Sequence, residues 1–170
     1  KAGIHYYGES DKRLLPPNDL KFQTSRHAIG GVSAGDINGD GWDDLVFCGG
    51  GTVELYLNQQ DGSFRKATQE WGLGTLRYAT ATLFADFDND GDSDLYIGVF
   101  FGRNRLFRNE GDSLVEVTDG SGLANDDMTS CLCAFDANGD GLLDLYVGRF
   151  LDSRQEVPRM IHYTRNGKPN

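Results

Sequence analysis

Apolar positions along the chain come in short bursts, and polar stretches rich in Gly, Asn and Asp separate them. Leu45-Val46-Phe47, Leu95-Tyr96-Ile97 and Leu145-Tyr146-Val147 are three such bursts, fifty residues apart. Ahead of each lies a run of small or apolar residues: GGVSAG, ATLFA and SCLCAF. Further along, ELYLN matches RLFRN, GSFRKAT matches DSLVEVT, and WGL ending at Leu73 matches SGL ending at Leu123. Apolar runs this short, bounded by turn residues, predict strands rather than helices. Each unit then holds four short strands. A strand-built repeat of this period predicts an all-β chain, a β-propeller built of four-stranded antiparallel blades.

The repeat divides the chain into a lead-in segment over 1–28 and blades over 29–78, 79–128 and 129–170. The third blade is incomplete, because LDSRQEVPRMIHYTRNGKPN offers no match to a third and fourth strand. A closed propeller needs roughly four to eight blades. About three are present. The expectation is the beginning of a longer propeller, or a short chain whose open edge pairs with another subunit, since a bare blade edge invites aggregation.

Between the first two strands of each unit stands an acidic loop: DINGDGWDD, DFDNDGDSD and DANGDGLLD. The common pattern is D-x-[DN]-x-D-G-x-x-D. Carboxylates this close repel one another unless a cation neutralises them. In the first loop Asp36, Asn38, Asp40 and Asp44 supply side-chain oxygens, Gly41 allows the sharp turn, and the carbonyl of Trp42 adds a ligand. In the second, Asp86, Asp88, Asp90 and Asp94 act with the carbonyl of Asp92. In the third the set is Asp136, Asn138, Asp140 and Asp144, with the carbonyl of Leu142. An all-oxygen, flexible set of this size suits Ca²⁺ better than Mg²⁺, so about three Ca²⁺ sites are expected. The second loop carries one more carboxylate and should bind most tightly. An EF-hand would need Glu at position 12 and flanking helices, whereas position 12 is Phe47, Ile97 or Val147, each in a predicted strand. Tandem acidic repeats of matrix proteins recur at shorter intervals and lean on disulfides. Three merely solvated acidic turns would not require the same ligand types, glycine and spacing each time.

Composition adds three constraints. At 170 residues with 38% hydrophobic and 25% charged positions, 23 Gly and only 4 Pro, the chain reads as one turn-rich globular domain. The net charge of −10 excludes a nucleic-acid backbone as the natural partner. Three divalent cations would cancel six of those charges. No run is long enough to span a membrane as a helix. Lys1 opens the chain without Met or a signal segment, which suggests a mature or excised sequence. Cys48, Cys131 and Cys133 form no disulfide framework, and Cys131 and Cys133, alternating on one apolar strand, are expected to be small buried hydrophobes.

The repeat resembles the FG-GAP/VCBS family of calcium-binding propeller repeats, the type found in integrin alpha chains. It is most similar to the bacterial branch related to cartilage acidic protein and ASPIC/UnbV proteins. DGSFRKATQEWGL, LFADFDNDGDSDLYIG, LFRNEGDSLVEVTDGSGL and DANGDGLLDLYVGRFLD carry the likeness, over most of residues 29 to 152. The resemblance implies a seven-bladed propeller with Ca²⁺ in the hairpin between the first two strands of a blade, serving structural ends. Ala2 to Ile4 looks like the family's opening segment or the end of a preceding blade. The departures are the shortness, the stretch from His5 to His27, and Gly49 to Gly51 in place of a bulkier turn.

The turns at the other end of the blades concentrate Arg103, Arg105 and Arg149 beside Phe100, Phe101 and Phe150, with Arg108, Arg154 and Arg159 nearby. That end is expected to bind a partner through Arg and aromatic anchors. The alternative is that Arg merely keeps these loops wet. Catalysis finds no motif: His5, His27 and His162 have no Ser or Cys at motif spacing, and no phosphate loop is present. The expected function is a calcium-stabilised binding or scaffold module making protein-protein or adhesion contacts, not an enzyme. The expected partner is a protein, further blades or a glycan. The alternative is a lectin-like or polysaccharide-lyase-type propeller. High calcium outside the cytoplasm would keep the sites filled, so a secreted, cell-surface or periplasmic protein is expected, with the free cysteines as a counterweight.

Overall fold

A computed structural model describes residues 30–49, 52–100, 102–126 and 128–149, together with the backbone of 160–161. The predicted lead-in segment lies outside them, as do Phe101, Phe150, Arg154, Arg159 and the three histidines. The described residues form strands and turns without a helix.

Strands β1 (Gly30–Gly35), β2 (Asp44–Gly49), β3 (Thr52–Asn58) and β4 (Phe64–Lys66) make one antiparallel sheet in chain order. Strands β5 (Ala79–Ala85), β6 (Asp94–Val99), β7 (Arg105–Asn109) and β8 (Leu114–Glu116) repeat it. The third sheet holds β9 (Thr129–Phe135), β10 (Asp144–Arg149) and β11 (Met160–Ile161). The fifty-residue repeat survives as register: Val32 pairs with Phe47, Thr82 with Ile97, and Leu132 with Val147. The third sheet also gains a strand that the sequence pattern conceals. Leu45 faces Tyr56 and Leu95 faces Phe107, but Leu145 faces Ile161, so the third strand lies further along the chain, beyond the reach of a fixed-offset alignment.

The sheets stack as blades, with β1 beside β5 and β5 beside β9, so the first strand of each blade lies innermost. Among the described residues the arc does not close. Alternation within each strand sends side chains to the two neighbouring blades in turn. Val46, Cys48, Val53, Leu55 and Leu57 of the first blade meet Leu95, Ile97, Val99 and Phe107 of the second in one core. Tyr96 and Leu106 of the second blade meet Leu145 and Val147 of the third in another. Strand β6 is therefore buried on both faces, while β2 is fully buried on one and β10 only in part on each. Cys48 is in the first core, and burial pushes its thiol up to about 11.

Cys131 and Cys133 depart from expectation, because both are exposed. Their strand does alternate, but the face carrying them is the one a following blade would cover. The apolar run was legible; which side of it lay open was not.

Candidate metal centre

Each acidic loop is a tight connection whose own carboxylates organise its backbone. Asp36 accepts the amides of Asp40 (3.1 Å) and Gly41 (2.7 Å), and Asp86 accepts those of Asp90 (3.2 Å) and Gly91 (3.0 Å). Asp136 accepts Gly139, Asp140 and Gly141, and these amide donors, Gly141 foremost, hold its carboxyl below the usual range against the cost of desolvation. The fifth-position carboxylates take the amides of Trp42, Asp92 and Leu142, each at 2.9 to 3.0 Å. The expected glycine at position 6 has φ of 85°, 101° and 81° at Gly41, Gly91 and Gly141. Position 4, which the motif left open, also needs positive φ: 71° at Gly39, 58° at Asn89 and 79° at Gly139. Gly and Asn are the residues that tolerate it, so the alternation of those two was the available signal.

The ninth-position aspartates are buried and join the loop to the sheet. Asp94 Oδ2 accepts Phe87 N–H at 3.0 Å and Oδ1 accepts Asn109 N–H at 2.9 Å. Asp44 does the same with Ile37 and Asn58, and Asp144 accepts Ala137 N–H. Asn58 and Asn109, both at the end of a third strand, were not foreseen as part of the site. Asn109 also ties two blades together, its Nδ2 donating to Ile37 O at 2.7 Å in the first loop. The signal was present in the recurrence of Asn in ELYLN and RLFRN.

The loops differ at position 3. Asn38 and Asn138 donate through Nδ2 to Asp40 and Asp140, which occupies part of the donor set internally. Asp88 has no proton to give when ionised. Oxygens of Asp86, Asp88 and Asp94 lie within 4.8 Å of one another, an arrangement a cation would hold together. Burial raises the Asp94 carboxyl to about 6; the amides of Asn109 and Phe87 oppose this, while the charges of Asp88 and Asp90 add to it. Asp88 is raised by desolvation and by Asp90 and Asp86, and Asp44 by desolvation with help from Asp40 and Asp36. Asp90 is exposed and stands outside the cluster of three, as do the side chains of Asp92 and Trp42; for the last two the expected donor is the backbone carbonyl. The donors are all oxygen, from flexible carboxylates on a preformed loop, which fits a hard divalent cation.

At the opposite end the arginines already have acidic companions. Arg103 pairs with Asp119 (2.6 Å) and Arg105 with Glu116 (2.8 Å); Arg108, expected nearby, lies instead at the metal-loop end of β7, where it pairs with Glu110 and its charge acts on Asp88 and Asp94. Arg103 and Arg105 with their acids line a surface groove with Val117 and Thr118. Phe100 is only 4% exposed, its amide donating to Tyr78 O, so it belongs to the interior and not to an exposed anchor row. That bond carries the β5–β6 pairing one step beyond Ala79 and Val99. Arg149 is half-buried at the end of β10.

The model of a family described as FG-GAP-like repeat matches residues 36–97 and again 86–147, the two windows lying one blade apart. No curated protein sequence matches the chain. Among solved structures, the Tc holotoxin pore of Photorhabdus luminescens is similar over 71% of this chain at 23% identity and a TM-score of 0.41. The chain spans 6% of the length of that relative.

Proposed function

Because the chain belongs to the FG-GAP-like repeat family, we infer that it is an interaction scaffold whose blades are stabilised by Ca²⁺ in their first hairpins. The cluster of Asp86, Asp88 and Asp94 carries this reading. Its carboxylates are held close by backbone amides that cannot neutralise them. A bound Ca²⁺ would supply that charge, with Asp90 and the carbonyl of Asp92 completing the set. Asp36, Asn38, Asp40 and Asp44, and Asp136, Asn138, Asp140 and Asp144, hold the same positions in the other loops. Their internal amide bonds support a lower affinity there. In this reading the chain binds and does not catalyse, and it works where calcium is abundant, outside the cytoplasm. Its partners are proteins or further blades.

Thermal unfolding with calcium and with a chelator tests it. A ligand at a hundredfold its Kd adds about 2.7 kcal/mol per site, which for a domain of this size raises Tm by roughly 5–10 °C. Asp88→Asn should weaken the tightest site about tenfold in calorimetric titration, since affinity follows ligand charge. Identical melting in calcium and chelator would refute the structural role of the metal.

A further inference from the structure

The first two acidic loops are joined through a single residue of the first. Ile37 donates its N–H to Asp44 Oδ2 at 3.1 Å, and its carbonyl accepts Asn109 Nδ2 at 2.7 Å. The backbone N–H of Asn109 donates in turn to Asp94 Oδ1 at 2.9 Å. Three hydrogen bonds thus connect the ninth-position carboxylate of one blade to that of the next. All four residues are out of water: Asp44 is 0% exposed, Ile37 1%, Asp94 2% and Asn109 3%. Water cannot replace a stretched link in such a place, so a shift at one end is passed along the path and not absorbed by solvent.

The cross-blade bond is an addition to the common blade plan. Asn58, the equivalent residue of the first blade, donates from Nδ2 to Asp43 O at 3.1 Å, as Asn109 does to Ser93 O at 3.2 Å. The bond to Ile37 is what Asn109 makes across the seam. Both ends of the path are also held by their own loops, since Asp94 Oδ2 accepts Phe87 N–H at 3.0 Å and Asp44 Oδ1 accepts Asn58 N–H at 2.8 Å. The oxygens of Asp86, Asp88 and Asp94, within 4.8 Å of one another, repel until a cation draws them together. Fixing Asp94 fixes the Asn109 backbone, and with it the side-chain amide aimed at Ile37.

We propose that Ca²⁺ binding in the first and second loops is coupled through Asn109, so that filling one loop raises the affinity of the other. The coupling is reciprocal, as linkage requires. Its size is about three- to tenfold, the factor that one buried amide hydrogen bond carries. Direct repulsion between the two cations opposes it but is screened over roughly 8 Å in physiological salt. The proposal rests on the calcium reading above and adds its regulation: adjacent blades take up the metal as a pair and stiffen over a narrower range of calcium.

Nuclear magnetic resonance in about 0.15 M salt tests it, with Ca²⁺ as the probe and the Gly91 amide, a donor to Asp86, as the reporter of the second loop. Asp40→Ala, which disables the first loop, should move the Gly91 midpoint to about three- to tenfold higher calcium. Asp61→Asn removes an exposed charge at the same end of the first blade, next to Gln60, whose amide reaches Asp40. It should leave the midpoint within about twofold. In an Asn109→Ala background, Asp40→Ala should have no further effect beyond that of lost charge. A second measurement keeps the buried Asn109 intact: in the Asp40→Ala chain, the Ile37 amide and the Asn109 side-chain amide should shift with the Gly91 midpoint. A midpoint unmoved by Asp40→Ala, or moved equally by Asp61→Asn, overturns the coupling and leaves two independent calcium sites. An Ile37 signal that stays still while Gly91 titrates overturns it too. A Gly91 signal indifferent to calcium in the unaltered chain strikes the calcium reading itself.

Discussion

Asp94 serves two purposes that a residue count does not separate. It contributes an oxygen to the acidic cluster, and its two oxygens also accept the amides of Phe87 and Asn109, one at the loop's start and one at the end of β7. Removing the carboxylate leaves both amides without their acceptor in a buried place, at about 1–3 kcal/mol each. Asp94→Ala should therefore destabilise the chain by about 2–4 kcal/mol even in chelator, read from urea unfolding, whereas Asp88→Asn should cost almost nothing until calcium is added. Equal losses for the two in chelator would show that the ninth position has no structural duty of its own. The ligand residues were legible because their chemistry is written in residue type and spacing. The duty of Asn109 was not, since its partners Ile37 and Ser93 lie in other elements.

At the scale of the element, the WGL segment does more than end a blade. Trp71 and Leu73 are buried in the first seam, and Trp71 O accepts the amide of Leu114 at 3.0 Å, fastening the end of one blade to β8 of the next. A Cβ on Gly72 would come within 2.9 Å of Leu114 O, which explains the glycine between the two apolar residues. The equivalent SGL brings Leu123 into the second seam, where its carbonyl accepts the Tyr96 hydroxyl at 2.8 Å. Trp71→Ala should cost about 3–5 kcal/mol in urea unfolding; a loss below about 1 kcal/mol would mean that the segment is a linker and not a seam. The recurrence of these tripeptides was visible in the sequence. Their docking on the following blade was not, because nothing local distinguishes a turn that packs inward from one that faces water.

Across the whole molecule, burial is graded by the number of neighbours a blade has. Strand β6 lies between two seams and is buried at every position. Its amides should exchange with solvent most slowly, approaching the global unfolding rate, while those of β9, with one face open, should exchange faster; uniform protection across the three sheets would contradict the graded arc. The sequence alone determined the strand order, the fifty-residue period and the oxygen-donor loops, because strand alternation and ligand spacing are local properties of the chain. It did not determine which face of each strand is covered. Cys131, Cys133 and Phe100 show why: alternation specifies two faces, and only the tertiary surroundings, such as the presence or absence of a neighbouring blade, decide which of them loses its water.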